Sequence, residues 1–225
     1  MLQNSIGGGK PKMFHYFRNT VGTFPKVGNE PAPTTPDDQQ KLIDEIQDWK
    51  TGYYKTLLET RAVSRPGVIS LMDEAIHDPR IAVGVCSAST KEAAIQTLAV
   101  TLGDDRVKRL DVCILGDDVS TKKPDPLIYD TAARRLNVPA DRCVVIEDSL
   151  IGLRAAVAAG MKCIITYTGS TSSVDFYGHG AKAKIPDLAS ANVTLEDIFG
   201  PLRTDGLDAE LLVDVRDPME TKLSS

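Results

Sequence analysis

From residue 65 onward, short apolar runs alternate along the chain with amphipathic segments of helical length. The runs that predict strands cover residues 81–86, 112–115, 143–147 and 163–166. Each connection between these runs is long enough to hold a helix. Connections of this length join neighbouring parallel strands, and such crossovers are almost always right-handed. The pattern therefore predicts an α/β fold built on a doubly wound parallel sheet.

The first 62 residues contain no strand pattern: residues 20–36 predict a loop, and the segment that follows, to about Ala62, predicts a helix. Thr35-Pro36-Asp37-Asp38 is typical of a helix start, with an N-cap threonine, a proline at the first position and acids in the first turn. The helix that follows carries an apolar stripe at steps of three and four, which we interpret as its core side: Leu42, Ile46, Trp49, Tyr53 and Leu57. We divide the chain into a helical region 1–62, an α/β core 63–200 and a tail 201–225, in which Leu211–Val213 could form a short strand.

Composition excludes several classes of protein. The chain is 42% hydrophobic and 25% charged, as soluble globular domains are, and its net charge of −5 is scattered, so no basic surface for nucleic acid is predicted. No apolar run reaches the length of a membrane span. The four cysteines lie singly in apolar runs without C-x-x-C spacing, which favours free thiols over zinc or disulfides: Cys86, Cys113, Cys143 and Cys163.

Polar side chains follow three successive strands of the predicted sheet. Ser87 follows the first strand, Lys123 lies in the loop after the second, and Glu147-Asp148 ends the third. Because the carboxyl ends of parallel strands share one edge, these groups are expected to converge. Each has a simpler interpretation as a helix cap or a solvated lysine. Together, a hydroxyl, an ammonium and two carboxylates favour a shared site for a phosphoryl group and Mg²⁺.

A second candidate lies near the N-terminus. Gly7-Gly8-Gly9-Lys10, followed by Lys12, could turn backbone amides and positive charge toward an anion. It does not match the P-loop spacing, and no strand precedes it. A flexible glycine turn is the alternative interpretation.

The ordered motifs between residues 65 and 168 resemble a known family. Ser87 after a strand, Lys123-Pro124 after a loop and Glu147-Asp148-Ser149-x-x-Gly152 resemble the second, third and fourth motifs of the haloacid dehalogenase-like (HAD) superfamily. The resemblance implies an HAD-like, Rossmann-like core and a Mg²⁺-dependent phosphatase. It implies that Lys123 and Ser87 are catalytic, that Ser87 and Ala88 bind phosphate, and that Asp148 and Glu147 bind the metal.

The glycine-rich segment is similar to part of the cap domain in the CbbY-like branch of that superfamily, which includes a plastid xylulose-1,5-bisphosphate phosphatase. The similarity implies that Gly8, Gly9, Lys10 and Lys12 bind the second phosphate of a sugar bisphosphate. Lys12 stands where the branch usually has arginine, which keeps the charge but loses the bidentate fork. The resemblance further implies a chloroplast location, with the cytoplasm as the alternative, and a small phosphorylated sugar as partner. We expect a monomer that contacts neither nucleic acid nor membrane.

The first motif of the superfamily, D-x-D-G, is absent from the sequence. Asp117-Asp118 and Asp214-Val215-Arg216-Asp217 have the wrong spacing. By resemblance, the chain looks like the C-terminal part of a longer protein, with part of a helical cap and a core lacking its first, central strand. We expect such a chain to be marginally folded and inactive, unless Leu211–Val215 fills the gap. A phosphosugar mutase of the same fold and a catalytically dead phosphate-binding module are the alternative functions.

Overall fold

A computed structural model describes residues 9–200, Val213 and residues 215–217, and the chain divides into two compact units, 1–62 and 63–225. It confirms the predicted α/β class with parallel strands. The helices are α1 (Gly9–His15), α2 (Pro36–Arg61), α3 (Val68–His77), α4 (Lys91–Leu102), α5 (Asp104–Lys108), α6 (Leu127–Leu136), α7 (Leu150–Ala158) and α8 (Leu195–Phe199). The strands are β1 (Gly84–Cys86), β2 (Val112–Ile114), β3 (Val144–Glu147), β4 (Lys162–Thr166) and β5 (Ala183–Ile185).

The first unit is helical, as expected, but its glycine-rich start is not a turn in the part that is described. Gly9 begins α1, which continues into a π-helical turn at Tyr16–Val21. Helix α2 begins as predicted, since the Thr35 hydroxyl accepts a hydrogen bond from the Asp38 amide at 3.2 Å. A small apolar cluster of Phe24, Leu42 and Ile43 forms the core of this unit.

The prediction that the whole stripe of α2 faces a core is wrong. Leu42 is buried, but Trp49 is 69% exposed and Tyr53 is 53% exposed. The two rings stack on each other, with centroids 5.5 Å apart and planes within 6°. Within the described residues, the apolar cluster reaches only the first turns of α2, so the later aromatic rings cover one another instead of a neighbouring element.

The second unit contains two parallel sheets. Strand β1 pairs with β2, while β3, β4 and β5 form a separate ladder. Among the described residues no ladder joins β1 to β3. Strand β1 begins at Gly84 and is shorter than predicted. The Val83 amide just before it donates a hydrogen bond to the Asp111 carboxylate at 2.8 Å, so a side chain and not a neighbouring strand is its partner.

Apolar side chains cover both faces of these strands. Cys163 and Ile165 of β4 point into one cluster with α6 and α7, while Ile164 points into the other with α3 and α8. This two-sided burial explains why the three central residues of β4, Cys163 to Ile165, are all apolar. All four cysteines are free thiols; Cys163 is buried and the other three are partly buried. Burial raises the pKa of the Cys86 thiol to about 11, so it stays protonated at neutral pH.

The described part of the tail belongs to the core. Val215 is 8% exposed and lies in the same cluster as Ile164, with Val213, Val83 and Val144 packed at its margin. The remaining positions of the predicted tail strand, Leu211, Leu212 and Asp214, lie outside the described residues. None of the described helices combines the length and the apolar character needed to cross a bilayer.

We predict that Val215→Ala destabilises the chain by about 2 kcal/mol, because it removes buried methyl groups and leaves a cavity. Urea unfolding followed by circular dichroism measures the change. The matched control is Val63→Ala, since Val63 is 82% exposed and should tolerate the same truncation. Equal effects of the two substitutions would show that the tail does not contribute to the core.

Candidate active site

One lysine links the carboxyl ends of two strands that share no ladder. The Lys123 ammonium donates to the backbone carbonyl of Cys86, at the end of β1, at 3.2 Å. It also donates to Glu147 Oε1, at the end of β3, at 2.5 Å. The structure therefore brings Lys123 and Glu147 into direct contact and places both beside the residue that precedes Ser87.

This ion pair is buried and has a third member. The side chains of Lys123 and Glu147 are only 9% and 11% exposed. Tyr129, on α6, is 5% exposed; its hydroxyl accepts from Lys123 at 2.8 Å and donates to Glu147 Oε1 at 2.7 Å. Burial opposes charge on Glu147, yet the Lys123 charge and the hydrogen bonds of Lys123 and Tyr129 hold its pKa below the ordinary value. Burial and the Glu147 charge raise the pKa of Tyr129, so the phenol stays protonated.

Sequence reasoning missed Tyr129. It lies six residues after Lys123 and directly follows the apolar pair Leu127-Ile128, so in the sequence it resembles a core residue of a helix. The available signal was a tyrosine on the buried side of a helix, because a buried phenol usually requires a hydrogen-bond partner.

The second oxygen of Glu147 accepts hydrogen bonds from the two residues that lead into α7. Glu147 Oε2 accepts from the Asp148 amide and from the Ser149 hydroxyl, each at 3.2 Å. Ser149 is also the N-cap of α7, since its oxygen accepts from the Gly152 amide at 3.1 Å. A Cβ at Gly152 would lie 2.0 Å from Glu147 Cδ, so the motif glycine makes room for this carboxylate.

Asp148 has a different environment from its neighbour. It is exposed, and among the described residues no side chain donates to its carboxylate. The pKa of Asp148 is raised, first by partial desolvation of its carboxylate and second by the Glu147 charge. The Arg65 and Lys123 charges lower the pKa but do not cancel this increase. A hard carboxylate oxygen beside a second negative charge fits a divalent cation, and Mg²⁺ commonly uses one or two protein carboxylates plus substrate oxygens. The described residues contain no cluster of three or more metal-ligating side chains.

The loop after β1 is fixed by its neighbours. The Ser87 hydroxyl, which is half-buried, accepts from the Ser89 amide at 3.2 Å. Gly116 donates to the Ser89 carbonyl at 2.9 Å, and a Cβ there would lie 2.5 Å from the Ala88 carbonyl oxygen. Lys122, the neighbour of Lys123, also stabilises this loop region, because its ammonium donates to the Gly116 carbonyl at 2.6 Å.

The N-terminal candidates belong to the first unit. Gly8 lies outside the described residues, and Gly9, Lys10 and Lys12 form the start of α1. Lys10 pairs with Asp44 at 2.8 Å, and the two side chains are 49% and 41% exposed. An exposed pair of this kind holds its lysine only weakly.

Comparison with known proteins identifies the class. Residues 26–166 match the haloacid dehalogenase-like hydrolase family, which is more than half of the chain, and the chain belongs to this family. The matched range includes Ser87, Lys123, Glu147 and Asp148.

Two plant proteins are among its relatives. The chain is 48% identical over 204 residues to a haloacid dehalogenase-like hydrolase domain-containing protein of Arabidopsis thaliana, covering 90% of this chain and 63% of that protein. It is 42% identical over 172 residues to the CBBY-like protein of the same plant, covering 76% of this chain and 51% of that protein. The chain thus spans between half and two thirds of the length of these relatives.

Solved structures of CbbY from Rhodobacter sphaeroides share the fold. The complex with phosphate has a TM-score of 0.65 at 32% identity and covers 84% of this chain and 76% of CbbY. A mutant CbbY in complex with xylulose-1,5-bisphosphate has a TM-score of 0.64 at 30% identity, covering 82% of this chain and 75% of that one.

We predict that Gly152→Ala destabilises the chain by roughly 1–3 kcal/mol, because the new methyl group must displace the Glu147 carboxylate. Chemical denaturation measures the effect. Gly52→Ala is the matched control: Gly52 also lies within a helix but has open space around its Cβ position, so helix propensity should stabilise that variant by about 1 kcal/mol. Two substitutions with the same sign would contradict the packing of Gly152 on Glu147.

We predict that Asp148→Asn raises the melting temperature at pH 7. The pKa of Asp148 is raised in the folded chain, so ionisation of this group costs stability once the pH rises above its ordinary value of 3.8. Asparagine removes that cost, and the difference between the proteins should disappear below pH 3.8, where both side chains are neutral. Thermal melts across this pH range test the prediction; a lower melting temperature for Asp148→Asn at pH 7 would contradict it.

Proposed function

We propose that this chain supplies the phosphate-binding and metal-binding part of a Mg²⁺-dependent phosphatase that acts on phosphorylated sugars. The observation that carries the proposal is the buried Lys123–Glu147 pair beside the exposed carboxylate of Asp148. The Lys123 ammonium can neutralise a substrate phosphate, and the Asp148 carboxylate can hold a metal ion that binds the same phosphate. Membership of the haloacid dehalogenase-like hydrolase family supports the same chemistry.

Each residue has a role in this proposal. Lys123 neutralises charge on the phosphoryl oxygens, and Ser87 with the Ala88 backbone binds them. Asp148, assisted by Glu147, would hold Mg²⁺, whose chemistry when bound is charge neutralisation of the transferring phosphoryl group. Both oxygens of Glu147 already accept two hydrogen bonds each, so Glu147 contributes mainly negative charge and Asp148 the direct ligand.

The nucleophile of the proposed reaction is an aspartate that these 225 residues do not contain in a D-x-D-G pattern. In the complete reaction, a carboxylate oxygen attacks phosphorus, the sugar oxygen leaves, and water then hydrolyses the aspartyl-phosphate. We therefore expect the 225-residue chain to bind phosphate and Mg²⁺ without turnover.

A sugar bisphosphate such as xylulose-1,5-bisphosphate is the proposed substrate. The support is the likeness to CbbY, whose structure contains that compound, together with the positive charge of Lys10 and Lys12 in the first unit. The exposed pair of Lys10 with Asp44 would have to open to bind a phosphate. A plastid location is proposed with it, from the resemblance to the plant branch of the family.

We predict that Mg²⁺ binds the chain in a calorimetric titration and that Asp148→Asn weakens this binding roughly tenfold or more. The control is Asp141→Asn, which removes an exposed carboxylate before β3. Unchanged Mg²⁺ affinity in Asp148→Asn would contradict the assignment of the metal ligand.

The catalytic part of the proposal needs the gene sequence upstream of Met1. If it encodes a D-x-D-G motif after an apolar strand, the extended protein should release phosphate from xylulose-1,5-bisphosphate, and Lys123→Met should abolish that release. Transfer of the phosphate between positions of one sugar would instead indicate the mutase. Phosphate binding without release, or an upstream stop codon with no such motif, would indicate the dead module.

A further inference from the structure

The Lys123 ammonium uses all of its hydrogen-bond donors inside the protein. A lysine has three N–H donors. They meet three acceptors: Glu147 Oε1 at 2.5 Å, the Tyr129 hydroxyl at 2.8 Å and the Cys86 carbonyl at 3.2 Å. Lys123 must therefore release one of these partners before it can donate to a phosphoryl oxygen.

The three partners are not equivalent. Glu147 and Tyr129 are joined by their own hydrogen bond of 2.7 Å, so these two groups and the ammonium form a closed triangle. The bond to the Cys86 carbonyl is the longest of the three and lies outside that triangle. Breaking it costs one bond to a neutral acceptor, whereas releasing Glu147 separates a buried ion pair and releasing Tyr129 opens the triangle.

We propose that Tyr129 is a positioning residue that keeps two donors of Lys123 within this triangle, so that the donor now on the Cys86 carbonyl is the one that turns to a phosphate oxygen. The identity of the anion rests on the proposed function. The role of the Tyr129 hydroxyl rests only on the geometry of the triangle.

The hydroxyl of Tyr129 can be separated from its ring. The Lys123 nitrogen lies 4.6 Å from the ring centroid, and a phenylalanine would keep both this contact and the buried volume. Without the hydroxyl, one ammonium donor loses its acceptor and Glu147 loses a donor. The ammonium would then turn more freely and exchange its protons with water faster.

The experiment uses the full 225-residue chain and the ¹⁵N-resolved ammonium signals of its lysines, with the Lys123 signal identified by its loss in Lys123→Arg. We expect proton exchange at this signal to be about tenfold faster in Tyr129→Phe, because one ammonium donor loses its acceptor. Tyr54→Phe is the matched control, because Tyr54 is 45% exposed and lies in the first unit. It should match the wild type in this measurement.

The outcomes separate the two proposals. Unchanged exchange at Lys123 in Tyr129→Phe overturns the positioning role. Faster exchange in that variant, with no response of the wild-type signal to phosphate, supports the role of Tyr129 and contradicts the phosphate-binding function.

A measurement on the wild type needs no folded variant. Saturating phosphate should shift the carbonyl ¹³C signal of Cys86 and leave the Cζ signal of Tyr129 in place. A shift at Tyr129 with an unchanged Cys86 carbonyl would overturn the proposal, because the anion would then have displaced the hydroxyl.

Discussion

The buried ion pair between Lys123 and Glu147 constrains the whole candidate site, because its two members meet at the ends of two different sheets. Removing one member of such a pair leaves an uncompensated charge and typically costs about 3–5 kcal/mol. Here the pair also fixes geometry, because Lys123 binds the end of β1 and Glu147 ends β3. The two sheets share no ladder in the described residues, so this side-chain contact provides a polar connection between their carboxyl ends.

Two adjacent carboxylates acquire different properties from this arrangement. Glu147 accepts hydrogen bonds from Lys123, Tyr129 and Ser149, the N-cap of α7, and these stabilise its charge. Asp148 is exposed to solvent on one side. Its carboxylate is nevertheless partly desolvated by the protein, and this desolvation, followed by the negative charge of Glu147, raises its pKa. Divergent environments of neighbouring acids are a common way to assign them different roles. The charge of Glu147 is therefore compensated within the protein, whereas Asp148 faces solvent.

Glycines make this arrangement possible at two contacts. Gly152 leaves space for the Glu147 carboxylate, and Gly116 lets the loop after β1 approach the loop after β2. Both positions require the absence of a side chain, not a special backbone angle. The motif residues therefore include some that bind nothing and serve only to let polar groups come close. Tyr129 belongs to none of these motifs, yet its hydroxyl bonds to both Lys123 and Glu147.

The sequence alone determined the alternation of strands and helices, the start of α2 at Thr35 and the polar strand ends that resemble the family, because these depend on local periodicity, capping and spacing. It did not predict β5, because Ala183-Lys184-Ile185 has a lysine at its centre and forms no apolar run, or the helical state of Gly9–Lys12. Periodicity also misassigned Trp49 and Tyr53, since it shows that a helix has an apolar side but not what covers that side. Only the tertiary structure decided that Tyr129 joins Lys123 and Glu147, because residues distant in sequence meet there through packing that no local pattern records.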